Sequence, residues 1–341
     1  MGLLDFLRGR RPPPPPASPL RPDGLLVSDL LVDRPDALAE IDRRLAAGKL
    51  RADEAEHLRR FSRDGYTVVE LDLEAGVYGA MDAAVERLWR ERPDDVAYAY
   101  QGHLTRFSHS LPEHRAPSYR IADLHSADAT ALGLFLHPQL FSLVSLIFGE
   151  PAVALQSLYF EWGSQQALHR DPVHVMTWPP SHLIAAWIAL EDIGPDCGPL
   201  VYVPGSHRLP YYQYEPGRYL FNHDLYGAEE ARASEAWDRD QCERHGLKPI
   251  PFTAKRGQAF LWHHSLLHGG SIPTDPTLTR KSFVIHYSTR STMKRVLNSY
   301  REWSHPDREG DSQVVVRESS RLLEHGERAG FASPLAEPES E

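Results

Sequence analysis

A histidine and an aspartate one residue apart, His169 and Asp171 with Arg170 between them, are answered far downstream by His268 at the head of His268-Gly269-Gly270. Two imidazoles and one carboxylate on a single face of a metal leave positions open opposite, which is what a non-haem Fe(II) oxygenase needs in order to bind a cosubstrate and O2 together. In an extended segment residues i and i+2 point the same way, so His169 and Asp171 can converge on one ion while Arg170 turns away. The third ligand must then arrive on a strand folded back beside the first pair.

Three histidines compete for that third place. His264 and His268 stand at i, i+4 as a helical metal pair would. However, the approach at residues 257–262 reads as a strand, and no Glu follows His264 in the manner of a helical zinc site. His268 is therefore the expected distal ligand, with His263 its rival. His174 and His207 lie near the motif in sequence and are candidates for contact with substrate or for hydrogen bonds to the ligands.

Past His268, Pro273 and Pro276 mark a turn and residues 280–287 read as a strand. Period-two alternation places Arg280, Ser282, Val284 and His286 on one side and Lys281, Phe283, Ile285 and Tyr287 on the other. A guanidinium fork beside a hydroxyl suits the far carboxylate of a dicarboxylate such as 2-oxoglutarate. An edge-strand arginine paired with a surface acid is the competing reading. His286 shares the Arg280 side and is expected beside the ligands. In an earlier strand Leu183, Ala185, Trp187 and Ala189 share a face, where small alanines around Trp187 leave room for a small molecule; core packing is the alternative there.

With these residues in place the chain resembles the phytanoyl-CoA dioxygenase family of Fe(II)/2-oxoglutarate oxygenases. The likeness is carried by Asp64-Gly65-Tyr66 after an amphipathic helix, the His169 to Asp171 triplet, residues 186–192, Gly198-Pro199-Leu200 leading into residues 203–207, the 257–262 approach, His268-Gly269-Gly270 and Arg280. These stretches run in family order over most of the chain. The resemblance implies iron ligation by His169, Asp171 and His268, cosubstrate anchoring by Arg280 with Ser282, and an aromatic wall from Trp187. One departure matters: some members carry a hydroxyl two positions after the distal histidine, where this chain has Gly270, so Ser271 or Ser282 would have to supply that contact. Related halogenating enzymes vacate the carboxylate position, and Asp171 keeps it. Hydroxylation, or another two-electron oxidation such as desaturation or ring closure, is therefore expected, with 2-oxoglutarate converted to succinate and CO2.

The chain has 341 residues and a net charge of −10, with no block of five like charges, which argues against nucleic acid as a partner. Its two cysteines, Cys197 and Cys242, form neither a disulfide framework nor a zinc pattern, and with no secretory signal they point to a reducing cytoplasm. No stable membrane insertion is expected, and the oligomeric state is not encoded in any pattern found. Residues 1–24 read as a proline-rich tail and 333–341 as an acidic one. Between them, residues 25–332 form one expected domain. Its 25–150 part is mostly helical, with helical spacing at 34–60, 79–90 and 138–148; 151–290 is a run of short strands, and 291–332 a C-terminal extension. The architecture implied is mainly β with buttressing helices, a double-stranded β-helix of the jelly-roll, cupin-like type. Residues 211–249 interrupt the strand series and are too long for an ordinary connection. They are the expected lid, with Tyr211 and Tyr214 as candidate substrate contacts.

The sequence thus points to an oxygenase acting on a small polar metabolite or natural-product intermediate. A non-catalytic cupin-like binding or sensor protein is the alternative, disfavoured by an intact triad with Arg280. A metal-dependent hydrolase or isomerase would not need the Arg280 pocket.

Overall fold

Among the described residues, eight antiparallel strands in one sheet and three in another face each other across an aromatic interior. The computed structural model describes residues 20–100, 103–117, 119–173, 177, 179–221, 225–289 and 292. His174, the tail reading for residues 1–19 and the readings for residues past 292 lie outside the described residues.

The helical expectations take shape as α1 (Ala37–Ala46), α2 (Ala52–Asp64), α3 (Gly76–Glu91), α4 (Ala129–Phe135) and α5 (Pro138–Phe148). Local chemistry sets their ends. The Arg51 amide donates to Glu54 Oε2 at the start of α2, and Gly65, in the left-handed region at φ 80°, stops it. Asp128 caps α4 by accepting from the Thr130 and Ala131 amides, and Pro138 opens α5. Together α4 and α5, Ala129–Phe148, are long and apolar enough to cross a membrane by length and composition, which the sequence reading did not anticipate. Yet 61% of the apolar window lies buried in the fold, the usual condition of a core helix.

The large sheet runs in the order β1 (Tyr66–Glu70), β9 (Gln258–His263), β6 (Ile184–Ala189), β11 (Ser282–Thr289), β5 (Ala152–Phe160), β4 (Arg120–Ala122), β2 (Ala97–Tyr100), β3 (His103–Arg106). The small sheet is β10 (His268–Gly270), β7 (Leu200–Tyr202), β8 (Ile250–Phe252). Strands β1 to β4 stand among the helices of residues 25–150, where the sequence pattern marked no strand. They are 3 to 5 residues long, too short for a period-two pattern to stand out, and they form by pairing with β9, β5 and one another.

Alternation along β11 separates two cores. Phe283, Ile285 and Tyr287 join the helices in the outer core, with Ile184, Ala186 and Ile188 of β6. Val284 faces the interior with Ala185, Trp187, Ala189, Phe260 and Trp262, closed from the small sheet by Leu200, Tyr202 and Phe252. The rings interlock, with Trp187 edge-on to Phe252 at 5.9 Å and Tyr202 4.7 Å from Phe260. This is the double-stranded β-helix arrangement, and the interior face is where polar side chains become informative.

Candidate metal centre

His169 and His268 lie directly opposite each other. The His169 amide donates to the His268 carbonyl at 2.9 Å and the His268 amide returns to the His169 carbonyl at 3.1 Å, an isolated antiparallel bridge between the two histidine segments. The glycines after His268 follow from this approach: a Cβ at Gly269 would lie 2.6 Å from the Gln166 carbonyl, and one at Gly270 would lie 2.5 Å from Ser164 Oγ. The missing hydroxyl at Gly270 therefore has a steric cause. Of its two expected substitutes, Ser271 Oγ is spent on the Pro199 carbonyl at 2.7 Å, while Ser282 Oγ is buried without a partner.

Both rings are fixed in one tautomer. His169 Nδ1 donates to the Ala167 carbonyl at 2.9 Å and His268 Nδ1 to the Leu266 carbonyl at 3.0 Å, which puts the lone pair of each ring on Nε2. Those atoms lie 3.8 Å and 3.5 Å from Asp171 Oδ1, and the three ligand atoms stand within 4.8 Å of one another. Asp171 begins a short 3-10 turn, Asp171–Val173, so the extended geometry expected of the motif ends at Arg170. Its Oδ2 accepts from Trp262 Nε1 at 2.8 Å. Burial works to raise the Asp171 carboxyl, but His268, His286 and His169, with the Trp262 N–H, outweigh it and hold it below the ordinary carboxylate value. His286 is buried close enough to Asp171 and His268 for both to act on it; burial, the larger influence, lowers its pKa, and its Nδ1 has no partner.

Arg280 precedes β11 and is 2% exposed. Its amide donates to the Glu161 carbonyl and Nη1 reaches the Gly198 carbonyl at 3.3 Å, but Nε has no partner and no carboxylate among the described residues pairs with it. Burial lowers its pKa to about 10. The cation lies 5.8 Å from the Trp187 ring centre and 6.0 Å from that of Phe160. Trp187 is itself 1% exposed, with its indole N–H unpartnered. Ser282, Trp187 and Arg280 thus leave polar atoms unmet in an apolar interior, and native proteins rarely do so without a ligand or ordered water. Sequence reasoning missed Arg120, on the interior side of β4 opposite Phe160 and near enough to act on His286; desolvation lowers its pKa. Alternation with buried Ile121 was the signal that could have found it.

The remaining expected residues go elsewhere. His263 and His207 sit in a second cluster, which corrects the reading that placed them beside the ligands. His263 Nε2 meets Asp33 Oδ1 at 2.8 Å, His264 lies 3.8 Å from the His263 ring, and the Ser206–Arg208 turn carries the His207 ring to within 5.0 Å of it. Asp33, His263 and His264 could hold an ion by composition. However, His263 Nδ1 accepts from the Ser265 amide at 3.1 Å, so the ring's proton is on Nε2 and is donated to Asp33 rather than leaving a lone pair there. Burial lowers the His207 pKa to about 3 and that of His264 well below the ordinary range. Burial works to raise the Asp33 carboxyl, but His263 beside it, His264 and the Ser28 hydroxyl overcome this and depress it. A depressed carboxyl gives stability that is present above its unfolded pKa and lost as pH falls through the folded one. Asp33→Ala is therefore expected to lower unfolding free energy by about 1.5–3 kcal/mol at pH 7. The deficit should shrink below about pH 4, with Fe(II) affinity untouched. Denaturant titrations at both pH values, with an iron titration, check this.

The insert at residues 211–249 contains a helix, α6 (Ala228–Arg244). Tyr211 is buried, sharing a hydrogen bond with Ser265 Oγ at 2.8 Å, and the Phe221 amide reaches the Val173 carbonyl at 3.2 Å, so the segment lies against the His-x-Asp strip. Tyr214 instead stacks on Tyr226 at 4.7 Å inside the insert.

A facial cluster of two imidazoles and a carboxylate inside a double-stranded β-helix defines the class. The family model for phytanoyl-CoA dioxygenase matches residues 61–272, more than half of the sequence, and the chain belongs to that family. Among curated relatives, phytanoyl-CoA dioxygenase domain-containing protein 1 of Mus musculus is 30% identical over 88 residues, covering 25% of this chain and 30% of that protein. The chain thus spans less than a third of that relative's length. Among solved structures, the epimerase SnoN from nogalamycin biosynthesis, in complex with Fe3+, alpha ketoglutarate and nogalamycin RO, has a TM-score of 0.52 at 20% identity, covering 70% of this chain and 84% of that one. Apo EctD from S. alaskensis has a TM-score of 0.51 at 21% identity, covering 71% and 78%. These likenesses establish a shared fold.

Proposed function

We propose that the chain is an Fe(II)/2-oxoglutarate-dependent oxygenase that hydroxylates an unactivated C–H bond of a small polar metabolite or natural-product intermediate. The observation that carries this is the pairing of a tautomer-fixed His169, Asp171 and His268 set with a buried guanidinium, Arg280, that has no carboxylate of its own among the described residues. The donor set of two nitrogens and one carboxylate oxygen fits Fe(II), and the unmet atoms at Arg280, Ser282 and Trp187 fit a dicarboxylate. SnoN, bound to Fe3+ and alpha ketoglutarate, supports the same pair of cofactors.

His169, Asp171 and His268 would hold the metal, which when bound supplies O2 activation coupled to oxidative decarboxylation of 2-oxoglutarate to succinate. The chain's own work is placement. The Ala167 and Leu266 carbonyls keep both rings turned with Nε2 inward, and Trp262 orients the Asp171 carboxylate. Arg280 and Ser282 would take the far carboxylate of the cosubstrate, with Trp187 and Phe160 beside the guanidinium. Arg120 offers a second cation to an anionic group near His286. The aromatic interior excludes water around these groups.

The pairing of β1 with β9 and β4 with β5 supports reading residues 25–332 as a single domain. The insert is read as the lid over the open side. Tyr214→Ala is expected to change substrate turnover while sparing succinate release without substrate, with loss of both removing the lid reading. The function itself is tested by iron-dependent succinate release from 2-oxoglutarate, screened against metabolites and scored by product mass. Binding of iron and 2-oxoglutarate with no succinate formed would favour a binding protein instead.

A further inference from the structure

Arg170 stands between the two candidate ligands of the His-x-Asp segment, and it is 1% exposed. Nη1 donates to the Leu209 carbonyl and Nη2 to Asp238 Oδ1, both at 2.8 Å, while the cation lies 4.5 Å from the centre of the Tyr211 ring. Both acceptors belong to the insert or its threshold: Leu209 leads into it, and Asp238 is on α6. The helix is tied back to the same place by Trp237 Nε1, which donates to the Pro210 carbonyl at 3.3 Å. A second strut runs to the other ligand, since Tyr211 bonds Ser265, in the turn that leads into His268. The insert therefore grips both ligand segments while supplying none of the three ligands.

We propose that Asp238 is a positioning residue for the metal centre. By holding the Arg170 fork it fixes the backbone between His169 and Asp171, so that docking of α6 becomes a condition for the spacing a metal requires. A buried guanidinium has few low-energy placements without water; here Nη1 and Nη2 are met and Nε is not, so the Leu209 and Asp238 contacts alone hold the fork, and the pair is a buried link rather than a surface ion pair. The proposal rests on reading the triad as an iron site.

The test uses the full chain, Fe(II) affinity measured by competition with a chromogenic chelator, and the visible absorption of the Co(II)-loaded protein, which reports coordination geometry. Two variants are compared: Asp238→Asn, which keeps the shape and removes the charge, and Arg170→Met/Asp238→Leu, which removes both charges and keeps an apolar contact so that no lone charge is left buried. The expected result is a loss of Fe(II) affinity of about tenfold or more in both, with shifted Co(II) bands, and with wild-type unfolding in the double variant. Should Asp238→Asn fail to fold, the double variant decides. Fe(II) affinity within about twofold of wild type and an unchanged Co(II) spectrum in the folded double variant would overturn the positioning role and leave the oxygenase reading standing. No Fe(II) binding by the wild-type chain would overturn both.

Discussion

Alanine in place of His169, Asp171 or His268 is expected to abolish iron-dependent succinate formation from 2-oxoglutarate while the chain stays folded. Each residue offers one of the three candidate ligand atoms of this cluster, and Fe(II) lies low in the affinity order of the divalent metals, so a two-ligand remnant is not expected to retain it. The loss should exceed the roughly 10- to 100-fold that follows from removing a mere hydrogen-bond partner of a ligand. Folding should survive because the two histidine segments are joined by backbone hydrogen bonds that the substitutions leave in place. His263→Ala is the informative contrast: it breaks the Asp33 contact and should lower stability while iron-dependent turnover persists. Near-full activity in His268→Ala together with its loss in His263→Ala would reverse the assignment of the distal ligand. The assay is succinate release with and without added Fe(II), alongside circular dichroism.

The choice between those two histidines shows where sequence stops. His263 ends β9 and His268 opens β10, and each directly follows an apolar residue, Trp262 or Leu267. What separates them is which ring nitrogen carries the proton, and backbone atoms decide that: the Leu266 carbonyl for His268, the Ser265 amide for His263. No residue pattern encodes that difference, although the glycines following His268 record how closely its strand approaches residues 164–167. The alternation of β11 was fully legible, because Phe283, Ile285 and Tyr287 face one core and Ser282, Val284 and His286 the other.

Elements without a periodic signature stayed hidden. Helix α6 is polar nearly all round, with only Gln241 and Cys242 buried, so it has no apolar stripe to read and the segment looked like an irregular insert. Strand β1 pairs with β9, far along the chain, and β4 with β5, so neither has a local partner to announce it. The Arg170–Asp238 pair joins residues well separated in sequence and becomes visible only once α6 is docked. Local pattern therefore pointed to the three candidate ligands, and tertiary contact determined what holds them in place.

Arg280→Ala is expected to raise the 2-oxoglutarate requirement about 10- to 100-fold, the equivalent of losing a charge-assisted contact of about 1.5–3 kcal/mol. The native guanidinium is buried against Trp187 and Phe160 with its Nε unmet, so an incoming carboxylate gains a partner that has already given up its water. Desolvation lowers the Arg280 pKa only to about 10, so it remains a cation throughout the neutral range and the effect should be independent of pH between about 6 and 8. Iron affinity measured without cosubstrate should hardly change, because Arg280 is bonded to the Glu161 and Gly198 carbonyls and to none of the three ligands. Arg280→Lys should recover only part of the loss, since one ammonium replaces a planar fork. A 2-oxoglutarate titration of Arg280→Ala that overlays the wild type would place the cosubstrate elsewhere and turn attention to Arg120, a second, partly buried guanidinium, opposite Phe160.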